Sequence, residues 1–227
     1  MGIPNNRLTT PVNFLDLPRS FSELIDPART ALVMWDMQKG LAGNAPNLPA
    51  LKIAAASLLN AAEEANVLVV WSQHIFPRMD RMTGPWLTWM MKKQGAACPE
   101  DLQPMFQPGS KEVEFLDGFE PKNHHLIFKK QQPSLFIDTA FAHHLRVQGI
   151  RSIVLTGFAT DIGVEFTARH AIALGYHAVV VEDATGAYAQ ADHDRSIAFL
   201  RGWADVAKAS QVVSEWTETS VQKNSNE

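Results

Sequence analysis

Short apolar runs recur along this chain of 227 residues, each separated from the next by a stretch with helical spacing, and that alternation constrains the fold more than any other feature. TALVMW at 30–35, VLVVW at 67–71, HLIF at 125–128, SIVLT at 152–156 and HAVVV at 177–181 lack the polar alternation of a strand with one wet face. Each therefore reads as a strand buried on both sides, the kind found in parallel sheets covered by helices. Between the first two, Leu51, Ala54, Ala55, Leu58, Leu59 and Ala62 mark one face of a helix over 49–65. Further helices are predicted over about 136–148, 162–174 and 190–202, with Gly175 ending the second of these, and a last weak strand over 206–213.

Buried strands alternating with amphipathic helices specify an α/β fold, here a Rossmann-like three-layer α/β/α sandwich with a mostly parallel six-stranded sheet and right-handed crossovers. One domain is expected over 30–213. Pro11, Pro18 and Pro27 interrupt residues 1–29, which read as an extended N-terminal arm. Residues 75–122, with Trp86, Trp89 and several Pro and Gly, are long for a connection in such a fold and read as a lid or insertion over the substrate. Residues 214–227 read as a tail, disordered at its end.

Hydrophobic residues make up 46% of the chain and charged residues 19%, a composition that builds a sizeable core. Lys and Arg number 20 against 24 Asp and Glu, giving a net charge of -4 with no basic block, so nucleic acid is not an expected partner. No apolar run approaches the roughly 18 residues of a membrane span. MGIPNNRLTT lacks the pattern of a secretory signal and the single Cys98 cannot form an internal disulfide, so the expected location is cytoplasmic. The sequence also lacks a G-x-G-x-x-G after a strand, a P-loop, a G-x-S-x-G elbow and an H-E-x-x-H.

In open α/β sheets ligands bind outside the carboxyl ends of the strands, which directs attention to the residues that follow each apolar run. These are Asp36 and Gln38, Gln73 and His74, Lys129 and Lys130, Gly157 to Gly163, and Asp183. A carboxylate and an ammonium from different strands would converge there, each favouring the other's charged form while burial opposes both. Strand alternation turns one of the two lysines inward and the other to solvent. Thr160 and Asp161 read as N-cap residues of the helix that follows.

ALVMWDMQ, FKKQQPSLFIDT and TGFATDIGVEFTARHAIALGY followed by VVVEDA resemble, in order and spacing, the isochorismatase-like hydrolase superfamily over about residues 30–213. In most members the catalytic triad is Asp, Lys and a nucleophilic Cys. The resemblance puts the Asp at Asp36 and the Lys at Lys130, four residues before Ser134, with Lys129 as the fallback. The Cys position falls on Gly163, which has no side chain, and no strand end fixes Cys98 as a substitute. Cysteine members cleave amides, N-carbamoyl compounds and ureides through a thioester, whereas true isochorismatases carry Gly at this position and hydrolyse an enol ether without a covalent intermediate.

What the resemblance implies is a small-molecule hydrolase without a cysteine nucleophile. Asp36 would protonate the vinyl carbon of an enolpyruvyl group and Lys130 would hold a carboxylate or the developing charge. Gly163 would leave room where the sulfur sits in relatives, with backbone N–H groups facing an anionic oxygen. Gln38, Gln73, His74, Phe136, Ala159 and Trp86 are the candidate substrate contacts, with a core role equally open for Phe136, and Ala159 stands where isochorismatases generally carry Tyr. Trp86 and Trp89 either cap the pocket or bury a dimer contact. The alternatives are an amide or ureide hydrolase that activates water directly, or a non-catalytic ligand-binding relative. No cofactor and no metal are expected, because GLAGNAPNL lacks the Asp-x-His pair of the metal-binding branch. Assembly as a homo-oligomer, a dimer or tetramer, is implied by the resemblance alone.

Overall fold

A computed structural model describes residues 17–224. Its strands are β1 (Thr30–Trp35), β2 (Leu68–His74), β3 (Leu126–Lys130), β4 (Ser152–Phe158), β5 (His177–Gly186) and β6 (Asp205–Ala207). They form one sheet in the order β3-β2-β1-β4-β5-β6, and every pairing is parallel. The α/β sandwich expected from the alternating pattern is therefore what forms. Strand order reverses between β1 and β4, and that switch point opens a crevice at their carboxyl ends.

The described helices are α1 (Phe21–Leu24), α2 (Leu48–Glu64), α3 (Gly84–Gln94), α4 (Phe141–Val147), α5 (Glu165–Ala173), α6 (Gln190–Leu200) and α7 (Ala209–Asn224). Period-two alternation along the strands divides the core. Leu32, Met34, Val69, Trp71, Val154 and Val179 bury against α2 and α7 on one face. Ala31, Val33, Trp35, Val70, Leu155 and Val180 bury against α4, α5 and α6 on the other.

Several boundaries differ from the sequence expectations. The strand expected over 206–213 stops at Ala207, and Val212 and Val213 lie in α7, which also takes up much of the expected tail. Val212 and Trp216, four residues apart on one helical face, are both fully buried, and Trp216 Nε1 donates to Ile25 O at 2.8 Å. That packing outweighs the β preference of the two valines. Asp183 lies inside β5 rather than after it, and its Oδ1 accepts from Ala209 N at 2.8 Å at the start of α7. A carboxylate there complements the helix N-terminus.

The described part of the arm is not extended. α1 is capped by Ser20, a helical turn follows at Pro27–Arg29 capped by Asp26, and Leu24 and Ile25 are buried. Residues 1–16 of the arm and 225–227 of the tail lie outside the described residues. The helix expected from residue 136 begins at Phe141, because Ser134 Oγ accepts from Phe136 N and Thr139 Oγ1 donates to Leu135 O. Such local bonds offer the backbone an alternative to helix. Before α5, Thr160–Val164 form a π-helical turn.

Residues 75–122 contain one α-helix that the sequence reading did not predict, α3, ended by Gly95 at φ 68°, and three short 3-10 turns. Phe76, Phe106 and Val113 give this segment a small core of its own. Backbone bonds from Lys39 to Glu114, Gly40 to Glu112 and Leu116 to Met37 fasten it across the ends of the strands. Replacing Trp216 by alanine is expected to cost about 3–5 kcal/mol by leaving a cavity beside Ile25. Urea denaturation checks this, and a loss under about 1 kcal/mol would show that α7 does not anchor the fold.

Candidate active site

β1 ends where Asp36 takes up a left-handed backbone, φ 45°, which Asp tolerates better than most residues. That turn aims the carboxylate across the sheet toward β2 and β3. Ser72 Oγ accepts from Asp36 N at 3.0 Å and donates to Asp36 Oδ1 at 2.5 Å. Lys130 Nζ donates to the other oxygen, Oδ2, at 2.7 Å. Asp36 is 4% exposed and Lys130 5%. Burial pushes the Lys130 ammonium below its usual range, and the facing carboxylate pulls it back up. Its Nζ also sits 4.4 Å from the centre of the Trp35 ring. Lys129 is exposed, as alternation along β3 requires of one of the pair.

The pair forms the floor of a cavity of about 430 Å³ whose lining also includes Trp35, His74, Ala159 and Gly163. The insertion supplies an aromatic wall: Phe76 packs edge-on against Trp86 at 5.3 Å, and Trp86 against Trp89 at 5.5 Å. His74 stands edge-on to Phe76 at 4.4 Å, and burial, with Lys130 nearby, pushes its pKa well down, so its imidazole is neutral. Lys93, Asp161, Tyr188 and Asp192 add polar groups to the lining. Desolvation raises the Asp161 pKa, and its Oδ1 is buried without a hydrogen-bond partner among the described residues.

Of the candidate substrate contacts, His74, Trp86 and Ala159 line this cavity, and Trp86 Nε1 donates to Gln132 Oε1 at 3.3 Å. Gln38 does not. Its amide is consumed by His74 N at 2.7 Å, His74 O at 3.0 Å and Val113 O at 3.1 Å, so it ties the turn after β1 to β2 and the insertion. Gln73 alternates away from Ser72 and donates to Val113 O at 2.8 Å. Phe136 belongs to the core beside Phe141 and Tyr176. Thr160 and Asp161 make no capping bond; Thr160 Oγ1 instead meets His193 Nδ1 at 2.9 Å.

Gly163 lines the cavity but leaves no open room. A Cβ there would lie 2.2 Å from Trp35 Nε1, so the indole already fills that space. The sequence reading also missed Ser72. Its signal was a hydroxyl in the otherwise apolar run VLVVWS, where a buried polar group requires a partner. Cys98 lies in the insertion outside the cavity lining, and its hydrogen bond to Asp101, with Glu100 beside it, raises the thiol pKa. Its thiolate is not activated.

Glu63, His124 and His125 bring potential ligand atoms within 4.8 Å of one another outside this cavity. His125 Nδ1 accepts from Trp71 Nε1 and from Lys122 N, both at 3.0 Å. The proton of the neutral ring is therefore assigned to Nε2, which faces Glu63 Oε1 at 3.4 Å and has no lone pair for a metal.

The isochorismatase domain family matches residues 30–212. A cysteine hydrolase from Pseudomonas syringae pv. phaseolicola 1448A superposes with a TM-score of 0.74 at 23% identity, covering 86% of this chain and 96% of that one. An isochorismatase family protein from Burkholderia thailandensis gives 0.66 at 24% identity, covering 84% and 96%. A nicotinamidase/pyrazinamidase from Bacillus subtilis gives 0.66 at 19% identity, covering 79% and 100%. At these identities the structural likeness is one of fold.

The depressed His74 pKa has a pH consequence. The unfolded chain binds the His74 proton more tightly than the folded one, so this stability is fully present above pH about 6.5 and is lost as pH falls below it. His125 and His193 shift in the same direction. His74→Gln should therefore weaken, without abolishing, the fall in melting temperature between about pH 6.5 and pH 5. An unchanged slope would place the His74 imidazole in water.

Proposed function

The chain belongs to the isochorismatase domain family and is a hydrolase, and within that family we propose that it cleaves a small organic molecule with water as the attacking group and the Asp36–Lys130 pair as proton carrier. The observation that carries this reading is the buried pair, 2.7 Å apart on the floor of the cavity, beside a residue without a side chain at 163. No thiol is present in the lining to form a thioester.

The first reaction is enol-ether hydrolysis. Burial makes Lys130 a readier donor than a surface lysine, so the hydrogen-bonded pair passes a proton through Asp36 to the vinyl methylene carbon. The resulting oxocarbenium ion takes up water, whose proton returns to the pair. The hemiketal then separates into pyruvate and an alcohol.

A second reaction is favoured by the charge of the lining. Asp36, Asp161 and Asp192 face Lys93 and Lys130, with no arginine among the lining residues, which suits a neutral or cationic substrate better than a dicarboxylate. In that case Asp36 accepts a proton from water as the water attacks an amide or ureide carbonyl, and then gives it to the leaving nitrogen, so that the C–N bond breaks and an amine or ammonia departs from a carboxylic or carbamic acid.

Pyruvate release from isochorismate and amino-chorismate analogues, set against ammonia release from a carboxamide and ureide panel, separates the two. With the substrate so found, Asp36→Asn is expected to lose about 100- to 10,000-fold in turnover while staying folded. Lys130→Ala should lose a similar factor and also stability, since it leaves a buried carboxylate without its cation. Near-parental turnover in both variants would remove the pair from the mechanism.

A further inference from the structure

Trp35 ends β1 with its side chain fully buried, and its ring lies against the turn that carries Gly163. A Cβ at 163 would come within 2.2 Å of Nε1, 2.5 Å of Cε2 and 2.7 Å of Cζ2. Comfortable contacts between carbons are about 3.5–4.0 Å. The atoms met are the edge of a rigid ring, not the end of a flexible chain.

The ring has little freedom to retreat. Trp35 pairs in register with Gly157 of β4, and even the backbone there is close: a Cβ on Gly157, whose φ is 103°, would lie 2.0 Å from Trp35 O. Lys130 Nζ covers the indole face at 4.4 Å from its centre, and that ammonium is itself tied to Asp36. Trp35 belongs to the same buried cluster as Leu155, Val164 and Ala168.

We infer that Trp35 fixes the chemistry of this pocket: its indole occupies the volume from which a side chain at 163 would reach the substrate, so two positions and not one keep a nucleophile away from 163. A residue with a Cβ at 163 and Trp at 35 exclude each other. Restoring a nucleophile therefore requires both a cysteine at 163 and a smaller residue at 35. Once installed, that thiol shares the cavity lining with both Lys130, whose charge lowers a thiol pKa, and Asp36, whose charge raises it. The inference deepens the water-attack reading and rests on it for its meaning, but its test needs no substrate.

The test compares Gly163→Cys, Trp35→Val and the double variant, all with Cys98→Ser so that the only thiol is the new one. Thermal unfolding is read first. Alkylation by iodoacetamide is read second: the thiolate forms the S–CH2 bond, iodide leaves, and the thiol proton passes to buffer. Gly163→Cys should melt about 5–10 °C below its parent, as an overpacked core does. The double variant should melt above the value obtained by adding the two single shifts. Its thiol should also alkylate faster than the thiol of Gly163→Cys, because removal of the indole opens the space around position 163.

If Gly163→Cys fails to fold, a double variant that folds as well as Trp35→Val supports the inference. A double variant that fails where Trp35→Val folds overturns it. It is also overturned if Gly163→Cys melts like the parent, or if the two shifts simply add. None of these outcomes depends on which bond the enzyme hydrolyses, so a failure here is distinct from a failure of the proposed reaction.

Discussion

A carboxylate and an ammonium held 2.7 Å apart out of water are the constraint around which the rest of this site is arranged. Desolvating each costs several kcal/mol, and only close geometry with further hydrogen bonds offsets it. The fold supplies those through neighbouring strands. β1 delivers Asp36 in a left-handed turn, β2 delivers the Ser72 hydroxyl to one oxygen and the end of β3 delivers Lys130 to the other. Trp35 lies beneath the ammonium, and Gln38 locks the turn after Asp36 to β2. Parallel pairing of the three strands brings together groups 36 and 94 residues apart in sequence.

The parts legible in the sequence were those governed by periodicity. Apolar runs marked β1 and the first parts of four further strands, as strands covered by helices require apolar residues on both faces; β3, at the sheet edge, is the exception and leaves Ile127 and Lys129 exposed. Alternation along β3 required one inward lysine, and the resemblance picked Lys130, which is the buried one. The misreadings came where tertiary partners outweighed local preference. Val212 and Val213 have strand character but sit in a helix, because Val212 and Trp216 fill the same core. Gln38 and Gln73 stand in the right places for substrate contacts, yet backbone groups of β2 and the insertion consume their amides.

Gly163 is the most instructive of these. Glycine in a pocket suggests space when read from sequence, since the partner that fills the space lies 128 residues away in β1. Only the folded arrangement shows that the indole at 35 occupies the space a Cβ at 163 would need. The insertion adds a related effect from the opposite side. Its Trp86, Trp89 and Phe106 add an apolar wall beside the charged floor.

The central claim is that water, and no protein atom, attacks the substrate. Rapid-quench intact-protein mass spectrometry during turnover tests it most directly. The account predicts a protein mass that stays at the unmodified value at every time while product accumulates. A transient adduct carrying a fragment of the substrate, on Cys98 or on any other residue, would contradict it.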